Sequence, residues 1–198
     1  MGTKVAVLVG SLREGSFNRR LAMALRRLGP ADWQYLDVAI DEVLYFDQDL
    51  EADPPASVGR LKAAIEGADA LMFVAPEYNR SVPGVLKNAI DWASRPKGKN
   101  SFAGKPALVA GASTGNLSTA IAQSHLRMML AYLDVAAMGQ PEVYLKFAPD
   151  DLIDEEGNVS NEGTEEFLRG VMRSFATWVQ VVSAGRAAAR TREAVAAD

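Results

Sequence analysis

The sequence predicts an α/β fold in which a doubly wound parallel sheet carries helices on both faces. Short apolar runs alternate along the 198 residues with segments of helical periodicity. The apolar runs are unbroken, which is typical of parallel strands that are covered on both faces. The repeated strand–helix order favours right-handed crossovers between parallel strands of one sheet.

Five segments have the properties of strands. The first, third and fourth are apolar runs bounded by turn residues, with the sequences KVAVLVG, DALMFVA and KPALVAGA. The second, WQYLDV, is more polar, and the fifth, DVAAM, is short. The predicted strands cover residues 4–10, 33–38, 69–75, 105–112 and 134–138.

Five helices are predicted between and after these strands. The first starts at Asn18, a residue type that caps helices, and stops at Gly29 and Pro30. The third opens with Pro83, which suits a first helical turn, and carries apolar residues along one stripe. The predicted helices cover residues 18–28, 57–66, 83–93, 117–133 and 162–182.

These elements together form one domain, a five-stranded sheet between two helical layers. No linker or internal repeat divides the chain, so we expect a single domain over residues 1–184. Residues 185–198 are alanine-rich and form either an extension of the last helix or a flexible tail.

Composition excludes several classes of function. A formal net charge of −4 gives no electrostatic reason for nucleic-acid binding. The chain has no cysteine, which excludes disulfides and thiolate catalysis, and its single histidine, His125, excludes a histidine metal cluster. We therefore predict no metal site. No apolar run approaches the roughly 20 residues that cross a bilayer, and no signal peptide is recognisable, so we expect a cytoplasmic protein without a membrane partner.

Three loops at one edge of the predicted sheet are the candidates for function. In open parallel sheets, ligands bind beyond the carboxyl ends of the strands, where the strand order reverses. The first loop (residues 10–18), the second loop (residues 76–83) and the third loop (residues 112–117) each follow a strand and lead into a helix.

The first loop, GSLREGSFN, predicts a phosphate site. Its two glycines allow the chain to turn, and the helix that follows presents backbone N–H groups and the positive end of its dipole. The motif is neither a P-loop nor a dinucleotide fingerprint. The simpler interpretation is a polar turn with a good helix cap. The side chains available to an anion are Ser11, Arg13, Ser16 and Asn18.

The second loop, within PEYNRSVPGVLKNAIDW, places a rigid proline, an aromatic face and amide groups where a planar ligand can lie. Together with the first loop, this segment resembles the two signature segments of the NADPH-dependent FMN reductase family. The resemblance covers about residues 4–180. It implies a flavodoxin-like fold with bound FMN, and NADPH or NADH as co-substrate.

The resemblance also implies roles for individual residues. The residues expected to hold the FMN phosphate are Ser11, Arg13, Ser16, Phe17 and Asn18. Those expected to line the isoalloxazine ring are Pro76, Glu77, Tyr78 and Asn79, with Ser113, Thr114 and Gly115 from the third loop. Arg80 is expected to face the nicotinamide nucleotide or a neighbouring subunit, and Arg127 and Glu142 are candidates for ion pairs between subunits.

The implied reaction is a ping-pong transfer of hydride to the flavin, followed by two-electron reduction of a small-molecule oxidant. Quinones, azo compounds, chromate and free flavin are all candidate oxidants. No side chain is predicted as a catalytic acid or base, because N5 of the flavin is the reactive centre. Since the family is commonly oligomeric, we expect a homodimer or homotetramer.

Three other functions are compatible with parts of the sequence. Residues 111–115 match the G-x-S-x-G pattern of a serine hydrolase, but no carboxylate lies between Ser113 and His125. A flavodoxin-like electron carrier would bind FMN without turning over NAD(P)H. A non-redox module would bind only a phosphate ligand. The acidic turn at residues 150–158 has no calcium-ligand spacing.

Overall fold

The sheet contains six strands in the part of the chain that the computed structural model describes, residues 2–148 and 152–197. The strands are Lys4–Val9 (β1), Gln34–Asp37 (β2), Ala70–Val74 (β3), Pro106–Ser113 (β4), Ala136–Ala137 (β5) and Val143–Lys146 (β6). All of their pairings are parallel, in the order β2-β1-β3-β4, and both β5 and β6 pair with the free side of β4. The predicted parallel, doubly wound sheet is confirmed.

The fifth position of the sheet differs from the prediction. The expected strand at residues 134–138 is reduced to β5, which pairs with the start of β4, and β6 pairs with the end of β4. Residues 138–142 separate the two short strands opposite only residues 108–109 of β4, so this stretch cannot stay in register. It contains Gly139 and Pro141, residue types that interrupt a strand.

Five α-helices cover the two faces of the sheet within the described residues. They are Phe17–Leu28 (α1), Ala56–Glu66 (α2), Gly84–Ala93 (α3), Ala120–Tyr132 (α4) and Glu162–Ala197 (α5), and a short 3-10 helix spans Gln48–Leu50. Alternate strand residues point to opposite faces, so Leu8 and Phe73 pack under α2, α3 and α4, while Val7 and Met72 pack under α1 and α5. Burial on both faces explains the unbroken apolar runs of the sequence.

Six helix ends differ from the prediction. The starts of the second and third helices and the end of the fourth differ by one residue, and the other three differences are as follows. The first helix starts at Phe17 with Ser16 as its N-cap, rather than at Asn18. The fourth starts three residues late, at Ala120, because Ser118 has a positive φ of 47° that a helix does not allow. The last helix continues beyond residue 182 to Ala197 without a break.

Part of the predicted acidic turn, residues 150 and 151, lies outside the described residues. In the remainder, the Asp154 carboxylate accepts hydrogen bonds from the backbone N–H and the side-chain amide of Asn158, both at 2.7 Å. The turn therefore satisfies the hydrogen-bonding capacity of its own carboxylate.

None of the described helices has the length and apolarity that crossing a membrane requires.

Candidate functional site

The candidate site lies at the carboxyl edge of β1, β3 and β4. The chain runs from β2 on one side of β1 to β3 on the other, so the strand order reverses between β1 and β3. Crevices at such a reversal are where open α/β sheets bind ligands. The first and second loops leave the two strands that flank the reversal, and the third loop leaves the next strand, β4.

The first loop ends in a helix terminus with open donors. The Ser16 hydroxyl accepts a hydrogen bond from the backbone N–H of Arg19 at 3.2 Å and so caps α1. Within the described residues, the backbone N–H groups of Phe17 and Asn18 have no acceptor. Ser11, in the same loop, is nearly buried. Free N–H groups and the helix dipole together suit an anion.

Arg13 and Phe17 form a small stack beside this terminus. The Arg13 guanidinium lies 4.8 Å from the centre of the Phe17 ring and donates a hydrogen bond to the carbonyl of Gly15. The Phe17 ring stacks in turn on the buried Phe147, with 4.3 Å between the ring centres and 21° between the planes. The stack holds the arginine head at the loop while leaving it exposed. Gly15 itself is not among the glycines with a positive φ, so the sequence-based expectation that it needs glycine's conformational freedom is not supported.

Asn18 connects the first loop to β4. Its side-chain amide donates to the carbonyl of Ala112 at 3.0 Å, and its side-chain oxygen accepts from the N–H of Ala112 at 2.9 Å. The side chain is nearly fully buried. Both polar atoms of the amide are therefore engaged by the protein, and the backbone N–H is the group of Asn18 that stays available to a ligand.

The second loop is a tight hairpin turn. Tyr78 and Ser81 exchange two backbone hydrogen bonds, both at 3.0 Å. The residues between them, Asn79 and Arg80, have φ values of 51° and 63°, which is the pattern of a type I′ turn. Asparagine tolerates this conformation well, whereas arginine does not. The turn presents the half-exposed Tyr78 ring at the edge of the sheet, after the buried Pro76.

Glu77 anchors this turn to α4. One carboxylate oxygen accepts from the backbone N–H groups of Ile121 at 3.0 Å and Ala122 at 3.1 Å, in the first turn of the helix. The other accepts from Arg80 at 3.2 Å. The Glu77 side chain is only 8% exposed, whereas that of Arg80 is 65% exposed. A nearly buried carboxylate at a helix N-terminus is favourable because it meets free N–H groups and the positive end of the dipole.

The third loop is compact and its tip is exposed. The Ser113 hydroxyl accepts from the backbone N–H of Gly115 at 3.1 Å, and the Ser118 hydroxyl donates to the carbonyl of Leu145 at 2.8 Å. Thr114 and Gly115 are exposed at the tip. The first bond lies within the loop, and the second holds the end of the loop against β6.

Gly111 controls how closely the second and third loops approach. A Cβ at this position would clash with the carbonyl oxygen of Ala75 and the side chain of Thr119. Only glycine permits this packing between the end of β3 and the start of α4.

His125 does not pair with Ser113. Its Nδ1 lies 3.1 Å from the hydroxyl of Ser81 in the second loop, so α4 holds that loop at a second point. The G-x-S-x-G match at residues 111–115 therefore lacks the histidine that a serine nucleophile requires.

Arg127 and Glu142 form no ion pair with each other among the described residues. Arg127 Nη1 donates to the carbonyl of Met138 at 2.7 Å, while its Nε and Nη2 are buried without a partner among the described residues. Glu142 accepts from the hydroxyl of Tyr144 at 2.5 Å. Burial and the Glu142 carboxylate raise the pKa of Tyr144. The guanidinium therefore retains unused donors that point to a further acceptor.

The sequence profile of the family described as NADPH-dependent FMN reductase matches residues 3–150. The chain belongs to this family. Its flavodoxin-like fold and its three loops at the sheet edge are consistent with that membership.

Relatives with assigned activities agree with the family. The chain is 48% identical over 180 residues to a 2-hydroxy-1,4-benzoquinone reductase of a Burkholderia species, covering 91% of this chain and 98% of the relative. It is 38% identical over 182 residues to a quinone reductase of Escherichia coli K12, covering 90% and 96%. Among solved structures, it is similar to FerB, a flavoenzyme NAD(P)H:acceptor oxidoreductase of Paracoccus denitrificans, with a TM-score of 0.86, 42% identity and coverage of 90% and 97%.

Sequence reasoning missed the contacts that connect the three loops. Asn18 bonds to Ala112 across 94 positions of the chain, and Glu77 bonds to α4 across more than 40. No local pattern marks a pair so far apart.

Proposed function

We propose that this protein is an NAD(P)H-dependent quinone reductase that holds FMN at the carboxyl edge of β1, β3 and β4. Membership of the NADPH-dependent FMN reductase family supports the cofactor and the class of reaction. The observation that carries the site is the pair of open N–H groups at Phe17 and Asn18 beside the Arg13 guanidinium. This donor set fits a phosphate monoester, which offers several oxygens to one helix terminus.

The residues of the first loop have different roles in this proposal. Phe17 and Asn18 donate backbone N–H groups to the phosphate, and Arg13 supplies the cation. Ser11 of the same loop is nearly buried and offers a hydroxyl. Ser16 acts chiefly by capping α1, because its hydroxyl already accepts from Arg19. The Asn18 side chain acts by positioning, since it holds the loop against β4.

The second and third loops hold the flavin ring. FMN bound here would supply the redox chemistry, namely hydride uptake from a nicotinamide and two-electron reduction of an oxidant. The backbone of Pro76, Glu77, Tyr78 and Asn79 lines one part of the ring, and Ser113, Thr114 and Gly115 line another. Backbone N–H groups directed at the ring edge stabilise negative charge that develops there. The Glu77 carboxylate keeps the second loop in place through α4.

The substrate class is small-molecule oxidants, with quinones first. Relatives that match nearly the full length of this chain are named as quinone reductases. The half-exposed Tyr78 beside the ring site offers an aromatic face to a planar acceptor. Azo compounds, chromate and free flavin are secondary candidates, because an accessible flavin reduces acceptors of many shapes.

The test is a two-stage anaerobic stopped-flow experiment on the FMN-loaded protein. Mixing with NADPH, and separately with NADH, is expected to bleach the yellow flavin absorbance. Mixing the bleached protein with 1,4-benzoquinone is then expected to restore it. A protein that binds FMN but is bleached by neither nucleotide would be the electron carrier instead. A purified protein that takes up no FMN would contradict both functions.

We further propose that the protein is a homodimer or homotetramer whose interface includes α4. Met128 and Tyr132 lie one turn apart on this helix and are 68% and 90% exposed. Exposed apolar patches of this kind on a globular protein are typical of interfaces. The open donors of Arg127 suit a carboxylate of a second copy, with Glu142 as the candidate. Arg80, at the exposed turn, faces either the nicotinamide nucleotide or the neighbouring subunit.

Light scattering on the wild-type protein and on Tyr132→Lys tests the oligomer. We expect a mass of two or four chains for the wild type and a smaller mass for the variant. Arg169→Ala on α5 is a suitable control, since its ion pair with Glu165 lies on the helix surface. A wild-type mass of one chain would contradict the proposal.

The remaining proposals concern location and domain extent. A cytoplasmic location suits an enzyme that consumes NAD(P)H, and cell fractionation tests it. One flavin-binding domain spans residues 1–184, and the chain from residue 185 onwards is an extension. A chain that ends at residue 184 is therefore expected to bind FMN as tightly as the full chain.

A further inference from the structure

A cavity lies on the opposite side of the first loop from the flavin-ring site. Its volume is about 820 Å³, and it is enclosed by α1, the carboxyl ends of β1 and β2, and the segment after β2. Leu12, Gly15 and Ser16 of the first loop form one of its walls. No residue of the second or third loop lines it. The cavity is therefore adjacent to the phosphate site and separate from the ring site, and its volume is in the range of small-molecule sites.

The floor of the cavity is apolar. Val7, Ala22 and Val38 line it and are buried. Leu12 and Met23 also line it, and both are exposed although they are large apolar side chains. A flat apolar group lying on this floor would remove both side chains from water, which is favourable.

The rim of the cavity is charged, and most of its charges are already paired. Arg26 donates to the Asp37 carboxylate through both terminal nitrogens, one of them at 3.0 Å. Arg20 pairs with Glu155 at 3.5 Å. Two pairs thus form walls whose charges cancel.

Arg19, Asp41 and Glu14 are the charged rim residues that are not part of an ion pair among the described residues. The Arg19 guanidinium makes one long hydrogen bond, from Nε to the carbonyl of Ser11 at 3.5 Å, and no other among the described residues. The Asp41 carboxylate has no hydrogen bond or ion pair among the described residues either. Glu14 is a further exposed carboxylate on the rim. One open cation next to the phosphate loop and two open carboxylates, Asp41 beyond β2 and Glu14 in the first loop, are therefore available to a ligand.

We propose that this cavity binds an adenosine 5′-phosphate group. The phosphate meets Arg19 beside the first loop, the adenine lies on the apolar floor over Met23, and the ribose hydroxyls donate to Asp41. A carboxylate that follows the second strand, about 20 residues after a phosphate loop, is the arrangement by which other doubly wound folds bind a ribose. A simple inorganic anion would leave the floor and Asp41 without a partner.

Two candidate ligands contain this group, FAD and the co-substrate NAD(P)H of the proposed function. It is the half of FAD that is joined to the flavin phosphate, and it is also the adenosine end of NAD(P)H. The choice between FAD and NAD(P)H as the ligand rests on the proposed function. The assignment of the cavity as a site for adenosine 5′-phosphate does not depend on that function.

The test is calorimetric titration of the FMN-loaded protein with AMP and with adenosine. Ala39 lines the cavity and is exposed, so Ala39→Trp fills the space without disturbing the core. Ala52→Trp is the matched control, because Ala52 is exposed and lies outside the cavity lining. We expect wild type and Ala52→Trp to bind AMP equally, and Ala39→Trp to bind it at least about tenfold more weakly.

Arg19→Ala tests the phosphate contact separately. We expect its affinity for AMP to fall about ten- to a hundredfold, because a hydrogen bond to a charged group contributes roughly 1.5–3 kcal/mol. Its affinity for adenosine should be unchanged. A merely structural role of Arg19 would weaken both ligands alike.

Two further measurements, one of flavin affinity and one of the KM for NAD(P)H, identify which of the two molecules supplies the adenosine 5′-phosphate group. If FAD is the source, the apoprotein binds FAD more tightly than FMN, and Ala39→Trp removes that difference. If NAD(P)H is the source, Ala39→Trp raises the KM for NAD(P)H and leaves the ratio of FAD to FMN affinity unchanged. Either result supports the site.

Absence of AMP binding to the wild type, or equal AMP binding by Ala39→Trp, would overturn the assignment of the cavity. A titration with FMN separates this failure from failure of the proposed function. Protein that binds FMN but not AMP contradicts the adenosine site alone, whereas protein that does not bind FMN contradicts the flavin site.

Discussion

Replacing Glu77 with glutamine should loosen the second loop and weaken FMN binding. The carboxylate accepts two N–H groups of α4 at 3.0 and 3.1 Å and is 8% exposed. Hydrogen bonds to a charged group contribute roughly 1.5–3 kcal/mol each, and charge at a helix N-terminus adds up to about 2 kcal/mol. Glutamine keeps one acceptor oxygen but loses the charge. We therefore expect a loss of about 2 kcal/mol in the free energy of unfolding.

That loss corresponds to a fall in Tm of about 4–8 °C for a chain of this size. Because the type I′ turn loses its anchor, the Kd for FMN should rise about tenfold. Thermal unfolding of the apoprotein and fluorescence titration with FMN measure the two effects. The Arg80→Ala variant is the matched control, since it breaks only the exposed part of the network and should cost less than about 1 kcal/mol. If Glu77→Gln unfolds like the wild type, or Arg80→Ala costs as much, the capping role of Glu77 is refuted.

Three further changes test other parts of the molecule. Arg13→Ala should raise the Kd for FMN about ten- to a hundredfold in a fluorescence titration, since it removes a charged donor. Arg27→Ala, at the far end of α1, should leave the Kd unchanged. Equal Kd values for the two variants would contradict the phosphate role of Arg13. Gly111→Ala should lower the free energy of unfolding in urea by about 1–3 kcal/mol, because the added Cβ has no room. Gly59→Ala should raise it by about 0.5–1 kcal/mol, because a Cβ at position 59 would have no atom within 4 Å. Burial raises the pKa of Tyr35 to about 12 and leaves its hydroxyl without a partner among the described residues. The unfolded chain releases this proton near pH 10 and the folded chain holds it, so wild-type stability should fall as the pH rises from about 10 to 12. The Tyr35→Phe variant should lack this fall in unfolding experiments across that range and be at least as stable at neutral pH; an identical pH dependence for the two proteins would exclude Tyr35 as its cause.

The pattern of the sequence was sufficient for most of the sheet and its helices. Strands such as Ala70–Val74 are buried on both faces, so every residue must be apolar and the signal is strong. The fifth position was only partly predictable. Val143–Lys146 has just four residues with mixed exposure, and it is separated from Ala136–Ala137 by an irregular stretch, so no period identifies the two as neighbours along β4.

The placement of the three loops followed from the predicted topology, but their internal contacts did not. The sequence indicated that Ser16 and Asn18 offer polar groups near a helix start. It could not indicate that Ser16 caps the helix while Asn18 bonds to Ala112, since both residue types are suited to either task. Glu77 is similar, because only the approach of α4 makes its carboxylate a helix cap rather than a group facing a ligand.

By itself, the sequence determined the strand–helix order, the apolar layers and the edge at which a ligand binds, because these depend on periodicity and on the geometry that all parallel sheets share. The tertiary structure alone decided which polar groups are used by the protein and which remain open to a ligand. Hydrogen bonding saturates a donor or acceptor through whichever partner the fold brings near, often from a distant part of the chain. That physical reason separates Asn18, whose side chain is engaged, from Arg13 and Arg19, whose guanidinium groups remain exposed.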